Sequence, residues 1–348
     1  MTDSVLYDSF ERLLGDVSTP DAVRQTERDP SSHSIWQQLA DSGFTEAMVS
    51  EAAEGAGLSL AEAFRLFFVC GRQALPAPLA HTMVVKAILK ANGIDVPDGP
   101  ITISTLPVNN SDDALECRSV PFGKVAQWIL VPYGGAVDGS KDVLLSVARA
   151  QRSDAGVHGS LQAHFLWSRP FGNSLVIEAG APWLELAAAV TAAKMAGAMD
   201  TILNMTVRYA GDRTQFGRPI GKFQAVQQQL AVLAELATAS RISAEAGCRE
   251  ESPHKSNLLA AAVAKARASE AARTVVSIAH AVHAAMGITA EYDLQIFTRR
   301  LIEWSNDYGS AGYWNRRVGD AVLSTDDPNT LEFMLSTFFS AKAGDQDL

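Results

Sequence analysis

Apolar positions along this chain change their period twice. Through residues 1–92 they recur at helical spacing. Val5–Leu14 carries its apolar side chains on one side, and Ile35, Trp36 and Leu39 line one face of Ser34–Ser42, which Gly43 closes. Ser59-Leu60-Ala61-Glu62 predicts a capped helix start, the serine accepting from a free backbone N–H and the glutamate reaching back. That helix ends near Gly71. Pro76 and Pro78 then fix a turn, and His81–Ala91 is a further short helix before Gly93. The stretch predicts an all-helical packing module.

From residue 96 to 170 the runs shorten. Ile101–Thr105, Glu116–Val120, Ala126–Pro132, Val143–Ala148 and His164–Trp167 predict strands, punctuated by Pro97, Pro100, Asn109-Asn110, Gly134-Gly135 and Asp138-Gly139. A small β domain fits. The stretch is too poor in helices for a dinucleotide-binding βαβ unit, and no GxGxxG follows a strand.

Beyond residue 181 the helical period returns in longer segments. Pro182 suits the first turn of a helix. Trp183–Tyr209, Phe223–Cys248 and Leu258–Met286 are alanine-dense, with Gly287 stopping the third; Glu291–Trp304 is a shorter fourth and Asn329–Ala341 a fifth. Alanine favours the helix and its small side chain lets helices approach closely, so a C-terminal four-helix bundle follows. Its small and apolar surfaces predict that bundles meet across subunits. The expected units are an N-terminal helical domain at 1–95, a small middle β domain at 96–175 and a helical bundle and oligomerisation domain at 176–348.

Composition narrows the function. With 348 residues, 47% hydrophobic and a mean hydropathy of +0.03, the chain can bury several cores and is not disordered. A net charge of −10 without a basic stripe argues against nucleic-acid binding, while leaving local anion sites open. Cys70, Cys117 and Cys248 give neither a disulfide framework nor metal-ligand spacing and read as buried small hydrophobes. The start, MTDSVLYDSFERLL, lacks the basic and apolar regions of a signal peptide, and no apolar run reads as membrane-spanning. The expectation is a cytoplasmic protein without membrane insertion.

The most specific stretch is Tyr209–Gln224, between the first two long helices. It gathers Arg213, Gln215 and Phe216, then Gly217, Pro219 and Gly221, then Phe223-Gln224. A plain helix–turn–helix join does not require this mixture. Read as Tyr209-Ala210, Asp212-Arg213-Thr214-Gln215-Phe216-Gly217, Pro219-Ile220 and Phe223-Gln224, with position 218 free, it resembles the motif of the acyl-CoA dehydrogenase family. Leu39-Ala40, Gly43-Phe44 and Pro76 with Pro78-Leu79-Ala80 resemble landmarks of that family's N-terminal helical domain. Gly287-Ile288-Thr289, Glu291-Tyr292-Asp293-Leu294 and Arg299-Arg300 resemble the stretch before its catalytic turn. The resemblance covers essentially the whole chain and implies an acyl-CoA dehydrogenase-like fold. It also implies FAD as cofactor, an acyl-CoA substrate desaturated between its α and β carbons, and an electron-transfer flavoprotein or similar acceptor. Arg213, Gln215 and Phe216 would then be cofactor-binding residues. An arginine fork suits phosphate oxygens, and glycines allow close backbone approach.

The departures from the family pattern carry equal information. The family's glutamate base aligns with Tyr308, and a neutral phenol is a poor base. Neighbouring Asp307 points elsewhere. The alternative base position of some members falls at Ala187-Ala188, with Glu185 on another helix face. The glutamine and glycine pair of a second cofactor motif are replaced by Ala281 and Ala284-Ala285, leaving His283. The β segment is short and lacks the family's flavin-packing strand; Trp128 reads as core. No catalytic residue is assigned. This combination resembles the shorter, base-lacking subunit of heterotetrameric (α2β2) steroid side-chain acyl-CoA dehydrogenases, whose longer homologous partner supplies the glutamate. Two other readings remain open at this level: a self-sufficient homotetrameric dehydrogenase with a non-standard base, and a catalytically dead structural member.

Overall fold

Among the described residues, Thr19, Ser59, Asn257 and Ser310 each cap the start of an α-helix through the side chain. The computed structural model describes residues 2–324 except 33, 106, 112, 133–140, 169–173, 178, 179, 253 and 254, together with 329 and 331–334. Its N-terminal helices are α1 (Thr2–Val17), α2 (Pro20–Arg28), α3 (Ser34–Asp41), α4 (Leu60–Arg72) and α5 (Leu79–Ala91). The capping box of α4 forms in both directions: Ser59 Oγ accepts from the Glu62 N–H at 3.3 Å, and Glu62 Oε2 accepts from the Ser59 N–H at 2.8 Å. Helix α2 was not expected. It is short and mostly polar, and Thr19 and Pro20 start it.

The middle of the chain forms two four-stranded sheets. One has the order β1 (Ile101–Ile103), β4 (Trp128–Val131), β5 (Asp142–Ser146), β8 (Leu175–Ile177). The other has the order β2 (Asn109–Asn110), β3 (Ala114–Val120), β7 (Ala163–Ser168), β6 (Gln151–Asp154). Only the β1–β4 pair is parallel among the described strands. Alternation assigns the faces. Ile129, Val131, Val143 and Leu145 meet Leu115, Cys117, Phe165 and Trp167 of the second sheet, whereas Leu130, Leu144, Ile101 and Ile103 join the helical core. The first sheet is thus buried on both faces, which explains its unbroken Trp-Ile-Leu-Val run. Strands β2, β6 and β8 went unread because they are short or polar; Asn109-Asn110, expected as a turn, pairs with β3. The expected turns at 134–135 and 138–139 lie outside the described residues.

The C-terminal part comprises α6 (Trp183–Asp212), α7 (Gln224–Gly247), α8 (Leu258–His283), α9 (Leu294–Trp304) and α10 (Ala311–Leu323). A hairpin of β9 (Thr214–Gln215) and β10 (Arg218–Pro219) joins α6 to α7, and a second, β11 (Glu250–Ser252) with β12 (Lys255–Ser256), precedes α8. Helices α6, α7 and α8 pack on one another, α10 covers α8, and α9 lies against α6 and α8. The sequence had no signal for α10: glycines and polar residues interrupt its apolar stripe, and Trp314 is its one buried residue. The third long helix ends at His283 rather than near Met286, and a 3-10 turn at Ala284–Ile288 carries the chain to Gly287 and beyond. Of the expected fifth helix at 329–341, residues 331–334 are helical and 335–341 lie outside the described residues.

Two devices unite the parts. At the α4–α6 crossing, a Cβ on Gly71 would overlap the Lys194 carbonyl and one on Gly197 the Phe68 carbonyl, so the two backbones touch. The Trp183 indole at the start of α6 donates to Asp142 Oδ2 at 2.6 Å, tying β5 to the bundle. Helix α6 has the length and apolar composition of a membrane span, but 83% of its most apolar window is buried inside the fold. Cys70, Cys117 and Cys248 are free and buried.

Candidate functional site

The sequence singled out the corner between α6 and α7, and it stands clear of the core. Helix α6 stops at Asp212, Arg213 is extended, and β9 and β10 pair Gln215 with Arg218 and Thr214 with Pro219. The Ile220 N–H donates to the Arg213 carbonyl at 2.8 Å. The two-residue turn is Phe216 (φ 50°) and Gly217 (φ 78°). Positive φ at both central residues matches the right-handed twist of a hairpin, but costs a non-glycine residue about 1–2 kcal/mol. Phe216 bears that cost and is 91% exposed, with only the Phe223 ring edge-on at 6.1 Å. Arg213 and Gln215 are also exposed, and neither side chain has a hydrogen bond or ion pair among the described residues. In particular, no ion pair joins Arg213 to Asp212. The structure brings the three candidate residues onto one projecting hairpin and leaves all three open to the outside.

The turn that follows α9 is its opposite. Tyr308 is 1% exposed, and its hydroxyl donates to the Ile103 carbonyl of β1 at 2.6 Å. The His81 ring meets it edge-on at 5.4 Å. The Trp314 indole donates to the Tyr308 carbonyl at 2.9 Å, and Lys265 Nζ donates to the carbonyls of Ser305 and Gly309 at 3.1 and 2.9 Å. Burial pushes the Tyr308 phenol well above its ordinary range, so it stays protonated and donates. The Tyr308 backbone has φ 54°, a conformation that favours glycine, and it persists because β1, α8 and α10 grip the turn together.

Beside it lies a buried titratable cluster, in which the sequence drew attention to Asp307 but not to the two lysines around it. Asp307 Oδ1 accepts from Gln162 Nε2 at 2.7 Å. Burial first, and the neighbouring Glu303 second, push its carboxyl up to about 8, against the pull of Lys194 and Lys265. Lys194 lies 4.3 Å from the Phe122 ring centroid and 4.6 Å from that of Trp304; burial lowers its amine to about 8. Lys265, with no exposed surface, is lowered to about 7 for the same reason. In the sequence both lysines sit inside alanine-rich runs, and a charge at that position is the one available signal. Asp307 can hold a proton here, but it is enclosed by Gln162, Glu303 and the two lysines.

The other positions weighed from sequence also have structural occupations. Glu185 is buried and paired with Arg317 at 2.7 Å, as an N-terminal helix carboxylate held by a cation. His283 is buried; its Nδ1 pairs with the Ala279 carbonyl at 2.8 Å and its Nε2 with the Tyr292 hydroxyl at 3.2 Å, and its ring stacks on Tyr209 at 4.5 Å. Ala284, where the glycine pair would begin, keeps a backbone at φ 52° and ψ −138° that favours glycine. Trp128 is partly buried, and its indole donates to the Asp98 carbonyl at 3.0 Å. Arg299 and Arg300 both close on Glu27, at 2.9 and 2.5 Å, tying α9 to α2.

The two places differ in the chemistry they would offer a dinucleotide. The corner offers unpaired guanidinium forks and an exposed aromatic ring, which suit a diphosphate and a planar group. The Tyr308 turn offers no base, and aromatic rings and buried charges pack it from several sides.

Residues 182–301 match the family described as acyl-CoA dehydrogenase, C-terminal domain. The acyl-CoA dehydrogenase IpdE2 of Mycobacterium tuberculosis is 26% identical over 310 residues, covering 85% of this chain and 89% of its own. Among solved structures, a chain of the ChsE4-ChsE5 complex from Mycobacterium tuberculosis superposes with a TM-score of 0.80 at 20% identity, covering 93% of this chain and 98% of that one. A chain of the Tcur3481-Tcur3483 steroid ACAD superposes with a TM-score of 0.77 at 24% identity, covering 92% and 98%.

Proposed function

We propose that this chain, which matches the acyl-CoA dehydrogenase C-terminal domain over residues 182–301 and shares the fold of such enzymes, is the non-catalytic half of a two-protein dehydrogenase. It would contribute Arg213, Gln215 and Phe216 to an FAD shared across the subunit interface. A longer homologous partner supplies the glutamate base in an α2β2 assembly. One observation carries the reading: the cofactor hairpin is open and unpartnered, while the turn of the base is closed by a phenol donating to Ile103.

When bound, FAD supplies the hydride acceptor for α,β-desaturation of an acyl-CoA, with an electron-transfer flavoprotein or similar acceptor downstream. This chain's part is binding and orientation. The Arg213 fork neutralises phosphate charge, the Gln215 amide offers a further donor, and Phe216 presents a flat apolar face. Its own turn moves no substrate proton, since Tyr308 is a donor at neutral pH and Asp307 is enclosed. The likeness to a steroid ACAD supports a steroid side-chain thioester as the acyl group, and the likeness to a two-protein complex supports the paired assembly.

The test is co-purification from the native cell with flavin counted per subunit, followed by Arg213→Ala in the complex. Loss of FAD with the assembly intact is the expected result. Unchanged FAD content and activity would remove the shared-site reading. Yellow flavin on the chain purified alone, bleached by acyl-CoA, would favour a self-sufficient enzyme.

A further inference from the structure

The hairpin register places a residue beside Arg213 and Gln215 that the family pattern leaves free. Gln215 pairs with Arg218 directly across the two strands, and the Ile220 N–H bonds to the Arg213 carbonyl one step further along. Side chains alternate along a strand, and cross-strand partners share a face. Arg213, Gln215 and Arg218 therefore share one face of the hairpin, with Thr214 and Pro219 on the other. Arg218 is exposed, and its Cζ lies 4.3 Å from the centroid of the Phe223 ring. Phe216 in turn meets Phe223 edge-on, with an interplanar angle of 87°. A guanidinium stacked on an aromatic ring is held flat while its N–H edges stay free to donate. Those donors have no hydrogen-bond or ion-pair partner among the described residues.

Charge points the same way. The chain carries −10, yet residues 208–222 hold Arg208, Arg213, Arg218 and Lys222 against Asp212 alone, a local charge of +3. Arg213, Arg218 and Lys222 are exposed and form no ion pair among the described residues. An acidic protein that concentrates uncompensated cations on one projecting turn has a local anion site there, since opposing charges elsewhere are screened beyond about 8 Å at physiological ionic strength.

We propose that Arg218 is a second guanidinium for the diphosphate of the dinucleotide, acting beside Arg213, with Phe223 as the plate that orients it and Phe216 as the brace behind that plate. This rests on the shared-cofactor reading and deepens it by assigning the ligand chemistry of one more residue. The hairpin recognises a nucleoside diphosphate through two forks, and the strained Phe216 turn is what brings the forks onto one face.

The experiment uses the complex of this chain with its catalytic partner, stripped of flavin, and titrates it with ADP and, separately, adenosine by calorimetry. Arg218→Leu keeps most of the apolar stem and removes the charge; Arg218→Lys restores charge without the fork. The expected result is that Arg218→Leu weakens ADP by roughly tenfold or more, a loss of one charge-assisted contact. It should also flatten the salt dependence of ADP binding and leave adenosine unchanged. Arg218→Lys recovers part of the ADP affinity. Equal ADP affinity in Arg218→Leu overturns the assignment. So does a parallel loss of ADP and adenosine with a lowered melting temperature, since that places Arg218 only in the hairpin's own stability. If the unmodified complex binds neither ADP nor FAD, or Arg213→Ala changes neither, the shared-cofactor reading itself falls; if only Arg218→Leu is silent, that reading stands.

Discussion

Replacing Tyr308 with phenylalanine separates a structural phenol from a chemical one. The change removes a single hydroxyl that donates to Ile103 at 2.6 Å, while the ring keeps its place against His81 and within the turn. A lost hydrogen bond at a buried site, with the carbonyl left short of a donor, costs about 1–3 kcal/mol of stability. The same hydroxyl has no part in proton abstraction if the partner holds the base. Tyr308→Phe in the assembled complex should therefore lower the melting temperature and leave turnover within about twofold, whereas removing a working general base costs roughly a hundredfold to ten-thousandfold. The two effects differ by orders of magnitude, so thermal unfolding and acyl-CoA-dependent flavin reduction on one preparation distinguish them. A hundredfold loss of flavin reduction with normal assembly and normal FAD content would refute the argument.

Two further expectations concern the core. The Asp307 carboxyl is raised from 3.8 to about 8, so its contribution to stability is fully present below pH 3.8 and is lost as pH rises through about 8. Relative to wild type, Asp307→Asn should gain stability across that window, and urea melts at several pH values check it; a difference that does not change with pH would contradict the burial argument. Gly197→Ala pushes a methyl into the Phe68 carbonyl at the α4–α6 crossing and should cost about 3 kcal/mol or more, read from denaturant midpoints; a loss below about 1 kcal/mol, the scale of a tolerated core change, would mean the helices can part there.

The corner was legible in the sequence because its chemistry is local. An arginine two positions before a glutamine–phenylalanine pair, then two glycines, a proline and Phe223-Gln224, all fall within sixteen residues, Tyr209–Gln224, between two long helices. The tyrosine at the place where the resembled family carries its base was legible for the same reason, since Tyr308 occupies one countable place. The buried charges beside it were not. Lys194 and Lys265 sit among alanines on helices α6 and α8, and a lysine there normally marks a solvent-facing side. Only tertiary packing shows that both are buried, Lys194 under Phe122 and Trp304 and Lys265 under the Ser305–Gly309 turn. Helix α10 was missed because its register is set by tertiary contact, with α8 along its length and with the Tyr308 turn through Trp314, and not by a periodic apolar face. The face shared by Arg213 and Arg218 likewise depends on strand register, which a five-residue spacing does not disclose.

The closed turn at Tyr308 has a consequence for how such a chain can change with time. Under the proposed function a single substitution, Tyr308→Glu, would return the residue type of the base. Here it would remove the donor to Ile103 and place a new acid next to Asp307, whose own ionisation is already suppressed by burial and by Glu303. The restored carboxyl would be held neutral by its surroundings. Recovering a base would require altering Tyr308 together with the buried groups around it, Asp307 and the lysines among them. Under the proposed division of labour the turn works as a ratchet: its repacking closes the mutational route back to independence, and selection would act on this chain through what it lends across the interface.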